Sequence, residues 1–280
     1  MLILLICHNN LFELVFQMLD EYARKLIELF VEDCLDGDLD NLVKFNLNTI
    51  KDNTLYGYVY GSAYCPEQAR IVRALMLAVF GDLWPDLTLD SIIQHKYSVE
   101  RINFTTYIFG ANICDDYFKG LNKYNPTRIL HNRCVEVNKL MYTIGNYWVL
   151  PNGVTQDLGT YRYHWMTDLY LSDMYRVFMG KDDADSTLKN LFEKSGQAFV
   201  KYCSAVGFKK LMSGMMMNKY LYRTGEPKDV LPRIWSMKQP MTMWEYMDGV
   251  EKYCKFMEDF IPKRGQKIVE KLKKLLNNSL

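Results

Sequence analysis

The sequence predicts a mainly α-helical fold: a single globular helical domain with at most a small β element. Three observations carry this. Apolar residues return every third or fourth position in successive segments along the chain. No regular alternation of strand and helix occurs, as a doubly wound sheet would require. With 280 residues, 49% hydrophobic and 24% charged, the chain is long and apolar enough to bury a core and unlike a disordered one.

Asn10 with Glu13 has the order of a capping box, and Leu11, Leu14, Val15, Met18, Leu19, Tyr22 and Leu26 follow at helical spacing. That helix is expected to end between Phe30 and Cys34, before a turn running from Asp33 through Gly37 to Asp40. The segment Thr54 to Tyr60 fits a short strand or an extended loop equally well.

Pro66 is expected to open a helix whose apolar stripe is Ala69, Ile71, Val72, Leu75, Met76, Val79 and Phe80, with Gly81 as its stop. Less regular sequence follows, with a helical piece expected over Leu89–Tyr97 and a strand over Phe104–Phe109. Asn125–Pro126 begins another helix, carrying Ile129, Leu130, Val137, Leu140, Met141 and Ile144 on one face and closed by Gly145. Tyr147–Leu150 is a short apolar run before a Pro151-Asn152-Gly153 turn.

Further helices are expected from Tyr161 to Met179, after a cap at Asp185 or Ser186, and from about Thr242. Trp244, Met247, Val250, Cys254, Met257 and Ile261 mark the inner side of the last one. Pro262 should interrupt or kink it, because proline lacks an N–H and crowds the preceding turn. Residues 242–280 would then form a C-terminal helical arm packed on the domain.

The net charge is +1, so no global field draws the chain onto a polyanion, and such contact must come from a local patch. Seven cysteines are widely spaced without a CxxC pair, which argues against a zinc ribbon and a disulfide framework and for reduced apolar fillers. The apolar run Met1–Cys7 lacks a basic flank and a small-residue cleavage site. It reads as a buried extension or as the result of an early start upstream of Met18. No window approaches the ~20 apolar residues of a membrane span, so a cytoplasmic protein without membrane contact is expected.

There is no P-loop, no GxGxxG after a strand, no GxSxG elbow and no HExxH, so no cofactor or metal is called for. The richest polar segment runs from Arg162 to Arg176. On a helix His164 and Asp168 are neighbours at i, i+4, a pairing in which a carboxylate can orient an imidazole for proton transfer. Arg162 and Arg176 suit a phosphate or carboxylate fork, and Asn146 and Asn152 flank the preceding turn, where backbone N–H groups can face an anion. The same residues also fit the polar stripe of a surface helix and an ordinary tight turn.

Three other groups stand out. His131, Arg133 and Cys134 place a thiol beside cations. Met212, Met215, Met216 and Met217 suit either core filling or an adaptable groove. Lys263, Arg264, Lys267, Lys271, Lys273 and Lys274 make the C-terminal helix basic, fit for a nucleic-acid or protein partner or for a solvated face.

Ile144-Gly145, Pro151, Arg162, Asp168-Leu169-Tyr170-Leu171 and Arg176 together resemble a segment of an uncharacterised bacterial family, a domain of unknown function. The resemblance covers mainly residues 143–178 and 244–276, and the spacing from Arg162 to Asp168 is shorter than in the family's pattern. It implies a bacterial cytoplasmic protein, brings no assigned activity, and adds weight to Arg162, Asp168 and Arg176.

Two functional readings follow. One is a macromolecule-binding or regulatory module using the basic C-terminal helix. The other is an enzyme acting on a phosphate-bearing substrate such as a nucleotide or nucleic acid. In that enzyme His164 moves the proton, Asp168 orients or replaces the base, and Arg162, Arg176, Asn146 and Asn152 hold the substrate.

Overall fold

The structure, a computed structural model, describes residues 21–50, 53–57, 69–83, 97–101, 136–151, 167–181, 207–231 and 242–277. The fold is mainly helical. The Asn10 cap, Pro66, Phe104–Phe109, Asn125–Pro126, the His131 group and the helix after Asp185 lie outside the described residues.

The first described helix, α1, covers 21–34 and buries Ala23, Leu26, Ile27 and Phe30, spaced for one face, while Tyr22 is exposed. It stops where Asp36 and Gly37 adopt left-handed backbone, and the Gly37 N–H donates back to the Val31 carbonyl at 3.0 Å. Asp38 then caps a 3-10 turn, Leu39–Val43, by accepting from the Asp40 N–H. Residues 53–57 form a turn and not a strand, because the Asn53 side chain accepts from the Leu55 and Tyr56 N–H groups and closes the backbone on itself. The Tyr56 ring is buried, and its hydroxyl donates to Asp33 at 2.6 Å.

Helix α2, Arg70–Phe80, buries every residue of its expected stripe from Ile71 to Phe80. It begins at Arg70 and not at Pro66, since Ala69 is still extended. Gly81 caps it in right-handed backbone and leads into a 3-10 turn, Gly81–Leu83.

Strands β1, Tyr97–Arg101, and β2, Tyr147–Pro151, pair antiparallel, with Val99 opposite Val149. Tyr97 therefore begins a strand and does not end a helix. The β2 side chains Tyr147, Trp148 and Val149 are all buried, so both faces of that strand are covered. Helical backbone at 136–138 gives way to turns well before Gly145, which sits instead in a 3-10 turn, Ile144–Asn146.

Helix α3, Thr167–Phe178, ends on Gly180 in left-handed backbone. The Gly180 and Lys181 N–H groups return to the Val177 and Arg176 carbonyls, the double closure typical of a glycine stop. Helix α4, Phe208–Gly214, carries Met212 and is followed by Met215, Met216 and Met217; Met212, Met215 and Met217 are fully buried and Met216 partly so.

Helix α5, Met243–Asn277, runs through Pro262 without a break, so of the two expected effects, an interruption or a kink, the interruption does not occur. A mid-helix proline costs about 3 kcal/mol. Full burial of an aliphatic side chain contributes about 1.5–3 kcal/mol, and Ile261, Ile268, Val269 and Leu272 are all buried around the proline. Packing thus outweighs the missing hydrogen bond. Trp244 departs from the expected inner stripe and is 78% exposed. α5 packs on α2, on the 3-10 turn at 39–43 and on the turn at 144–146.

Candidate functional site

Asp168 lies in the first turn of α3, where a carboxylate suits the positive end of the helix dipole. It is fully buried, and one of its oxygens accepts the backbone N–H groups of Val230 and Leu231, each at 2.8 Å. These charge-assisted bonds tie the segment 221–231 to α3. Asn146 is buried too, and its amide donates to the Met141 carbonyl at 2.9 Å. Arg176 is exposed in the last turn of α3, at the end of the helix away from Asp168. Arg162, His164 and Asn152 lie outside the described residues.

Around Asp168 the interior is unusually polar. Burial, then the Asp168 charge, pushes the Tyr220 phenol up in pKa, with Thr167 and Arg264 pulling the other way. Tyr253 is raised as well, first by burial and then by Tyr220, Cys254 and Asp168. Both hydroxyls therefore stay protonated at neutral pH.

Arg264, grouped with the basic surface in the sequence, is instead in the core at 1% exposure. Its Nε donates to the Met215 carbonyl at 3.1 Å, and its Nη1 to the carbonyls of Gly145 and Tyr147 at 2.8 and 2.7 Å. The guanidinium also lies 5.5 Å from the centre of the Phe80 ring. Burial pulls its pKa down, but three carbonyl acceptors hold the cation in place. The signal for this was present: position 264 continues the apolar stripe of Met257, Ile261, Ile268 and Leu272 at spacings of three and four.

The other cations between Lys263 and Lys274 fall into two groups. Lys271 pairs with Asp82 at 2.8 Å, and Lys273 with Asp40 at 2.7 Å, so both are spent on tying α5 to earlier turns. Lys263, Lys267 and Lys274 are exposed. Among the described residues no group of three His, Cys, Asp or Glu side chains is placed to hold a metal, and no helix is long and apolar enough to cross a membrane.

No family model matches the chain, and neither a curated protein nor a solved structure matches it.

Proposed function

We propose that the chain is a non-catalytic helical module that binds another macromolecule or regulates one, with the solvent side of α5 as part of the contact. The observation that carries this reading is the division of labour on α5. One side is sunk in the core, while Lys263, Lys267 and Lys274 stay exposed at spacings of four and seven, which put them on one side of a helix. The polar residues best suited to chemistry add support. Asp168 and Asn146 bond to backbone groups of the fold itself, which leaves them poorly placed for acid–base work or substrate contact.

Retention on immobilised heparin, used as a generic polyanion, tests the reading. The native chain should be held at about 50 mM salt and released by about 200 mM, as counterion release requires. Combining K267E with K274E should elute earlier with an unchanged circular dichroism spectrum. A native chain that flows through at low salt would overturn the proposal.

A further inference from the structure

Between Lys209 and Asp229 the sequence carries five cationic side chains against two carboxylates, Glu226 and Asp229. The fold gathers this charge around one tight loop. Leu221 bridges Pro227, the Tyr222 N–H donates to the Glu226 carbonyl at 2.8 Å, and the Lys228 N–H donates to the Tyr220 carbonyl at 2.9 Å. Gly225 makes the turn possible with a φ of 101°. The stem of Lys209 packs across Gly225, where a Cβ would lie 2.6 Å from it, and the Lys209 ammonium donates to the Arg223 carbonyl. Tyr220 and Leu221 are buried and anchor the loop, whereas Tyr222 is 56% exposed and Arg223 is exposed beside it.

α5 adds charge to the same place. Lys219 and Lys263 both pair with Asp259, so one carboxylate serves two ammonium groups. Lys219 also lies 5.2 Å from the centre of the Phe256 ring. Burial, and then the neighbouring Lys263 and Lys228 ammonium groups, depresses the pKa of Lys219. Like charges from the 219–228 stretch and from α5 crowd here, although the two are distant in sequence.

We infer that the 220–228 loop and its flanking lysines form a binding surface for single-stranded nucleic acid, with Tyr222 stacking on a base and Lys219, Arg223, Lys228 and Lys263 on the backbone phosphates. The inference rests on the proposed binding function and names its partner class and its place. Cations alone would serve any polyanion. The exposed ring among them selects a strand whose bases are free to stack, because a duplex hides its base faces and an acidic peptide has none.

Fluorescence anisotropy of the full chain with a labelled oligothymidine, a duplex of equal length and a polyglutamate peptide tests this. The single strand should bind most tightly. Tyr222→Ala should weaken that binding about tenfold and leave the salt slope unchanged, while Tyr222→Trp keeps the affinity. Arg223→Glu should weaken binding and lower the slope of log K against log salt by about 0.7 or more. Both side chains are exposed, and an unchanged circular dichroism spectrum verifies the fold. Equal affinity for duplex or polyglutamate, or full affinity in Tyr222→Ala, overturns the inference. If heparin retention persists in that case, the broader binding function stands; if heparin retention is also absent, both fall.

Discussion

The Nη1 of Arg264 donates to the carbonyl of Gly145 at 2.8 Å, joining residues 119 positions apart. The same nitrogen reaches the Tyr147 carbonyl, and Nε reaches that of Met215, so one side chain of α5 satisfies three backbone acceptors from two other segments. Arg264→Met keeps much of the volume and supplies no donor. Each buried acceptor left without a partner costs about 1–3 kcal/mol, so the substitution should destabilise the fold by about 3 kcal/mol or more. Urea unfolding followed by circular dichroism measures this. A loss under about 1 kcal/mol would mean that the three carbonyls find other donors and that Arg264 is not their clamp.

Gly145 and Gly265 face each other at the same crossing, yet they should respond oppositely to alanine. A Cβ on Gly145 would lie 2.1 Å from the Ile261 carbonyl oxygen and 2.8 Å from the Gly265 nitrogen, both backbone atoms that cannot step aside singly. Gly145→Ala should push α5 off the 144–146 turn and lower the melting temperature sharply. A Cβ on Gly265 meets Val43 at 3.5 Å and Gly145 at 3.6 Å, ordinary contact distances. Since alanine is favoured over glycine in a helix by about 1 kcal/mol, Gly265→Ala should be neutral or mildly stabilising. Thermal unfolding of the two variants side by side decides it; a stable Gly145→Ala would show that the crossing is looser than described.

Asp168 makes a third prediction. Its buried carboxylate holds the Val230 and Leu231 N–H groups. Asp168→Ala orphans both donors and should cost about 2–4 kcal/mol, with the 221–231 segment losing amide protection first. Hydrogen exchange at Val230 and Leu231 is the direct readout. Exchange there as slow as in the native chain would show that other acceptors secure the segment.

Several of these features were legible in the residue order and several were not, for physical reasons. The α2 stripe was readable because all of its inward residues are apolar and return at helical spacing. Arg264 reads as surface because arginine is rarely buried, although its position lies on the apolar stripe of α5. Pro262 reads as a break because local rules carry no knowledge of the packing that overrides them. β1 carries little local signal because Tyr-Ser-Val-Glu-Arg offers only two alternating apolar residues, and its partner stands about fifty positions away in register, Arg101 against Tyr147 at one end and Tyr97 against Pro151 at the other. Asp168 reads from the sequence as a partner for His164 at helical spacing, whereas the groups it holds are backbone N–H groups 62 and 63 positions away, which no local pattern reveals.

The start of α5 supplies a pH dependence whose sign is fixed. The Glu245 carboxylate accepts from both the Thr242 N–H and the Thr242 hydroxyl at 2.8 Å, while the Thr242 hydroxyl oxygen accepts from the Glu245 N–H at 3.2 Å. This reciprocal box closes two of the open donors at the helix end. The backbone N–H bond first, and the hydroxyl second, hold the Glu245 pKa below its ordinary value. A carboxylate with a depressed pKa in the fold contributes stability that is present above its unfolded pKa, about 4.3, and is lost as pH falls through the lower folded value. The native chain should therefore lose more stability between about pH 5 and pH 3 than Glu245→Ala, which keeps the Thr242 cap but already lacks the carboxylate half of the box. Thermal melts across that range for both proteins test the difference. Parallel curves would mean that the box frays in solution and that the N-terminal turn of α5 is held by packing alone.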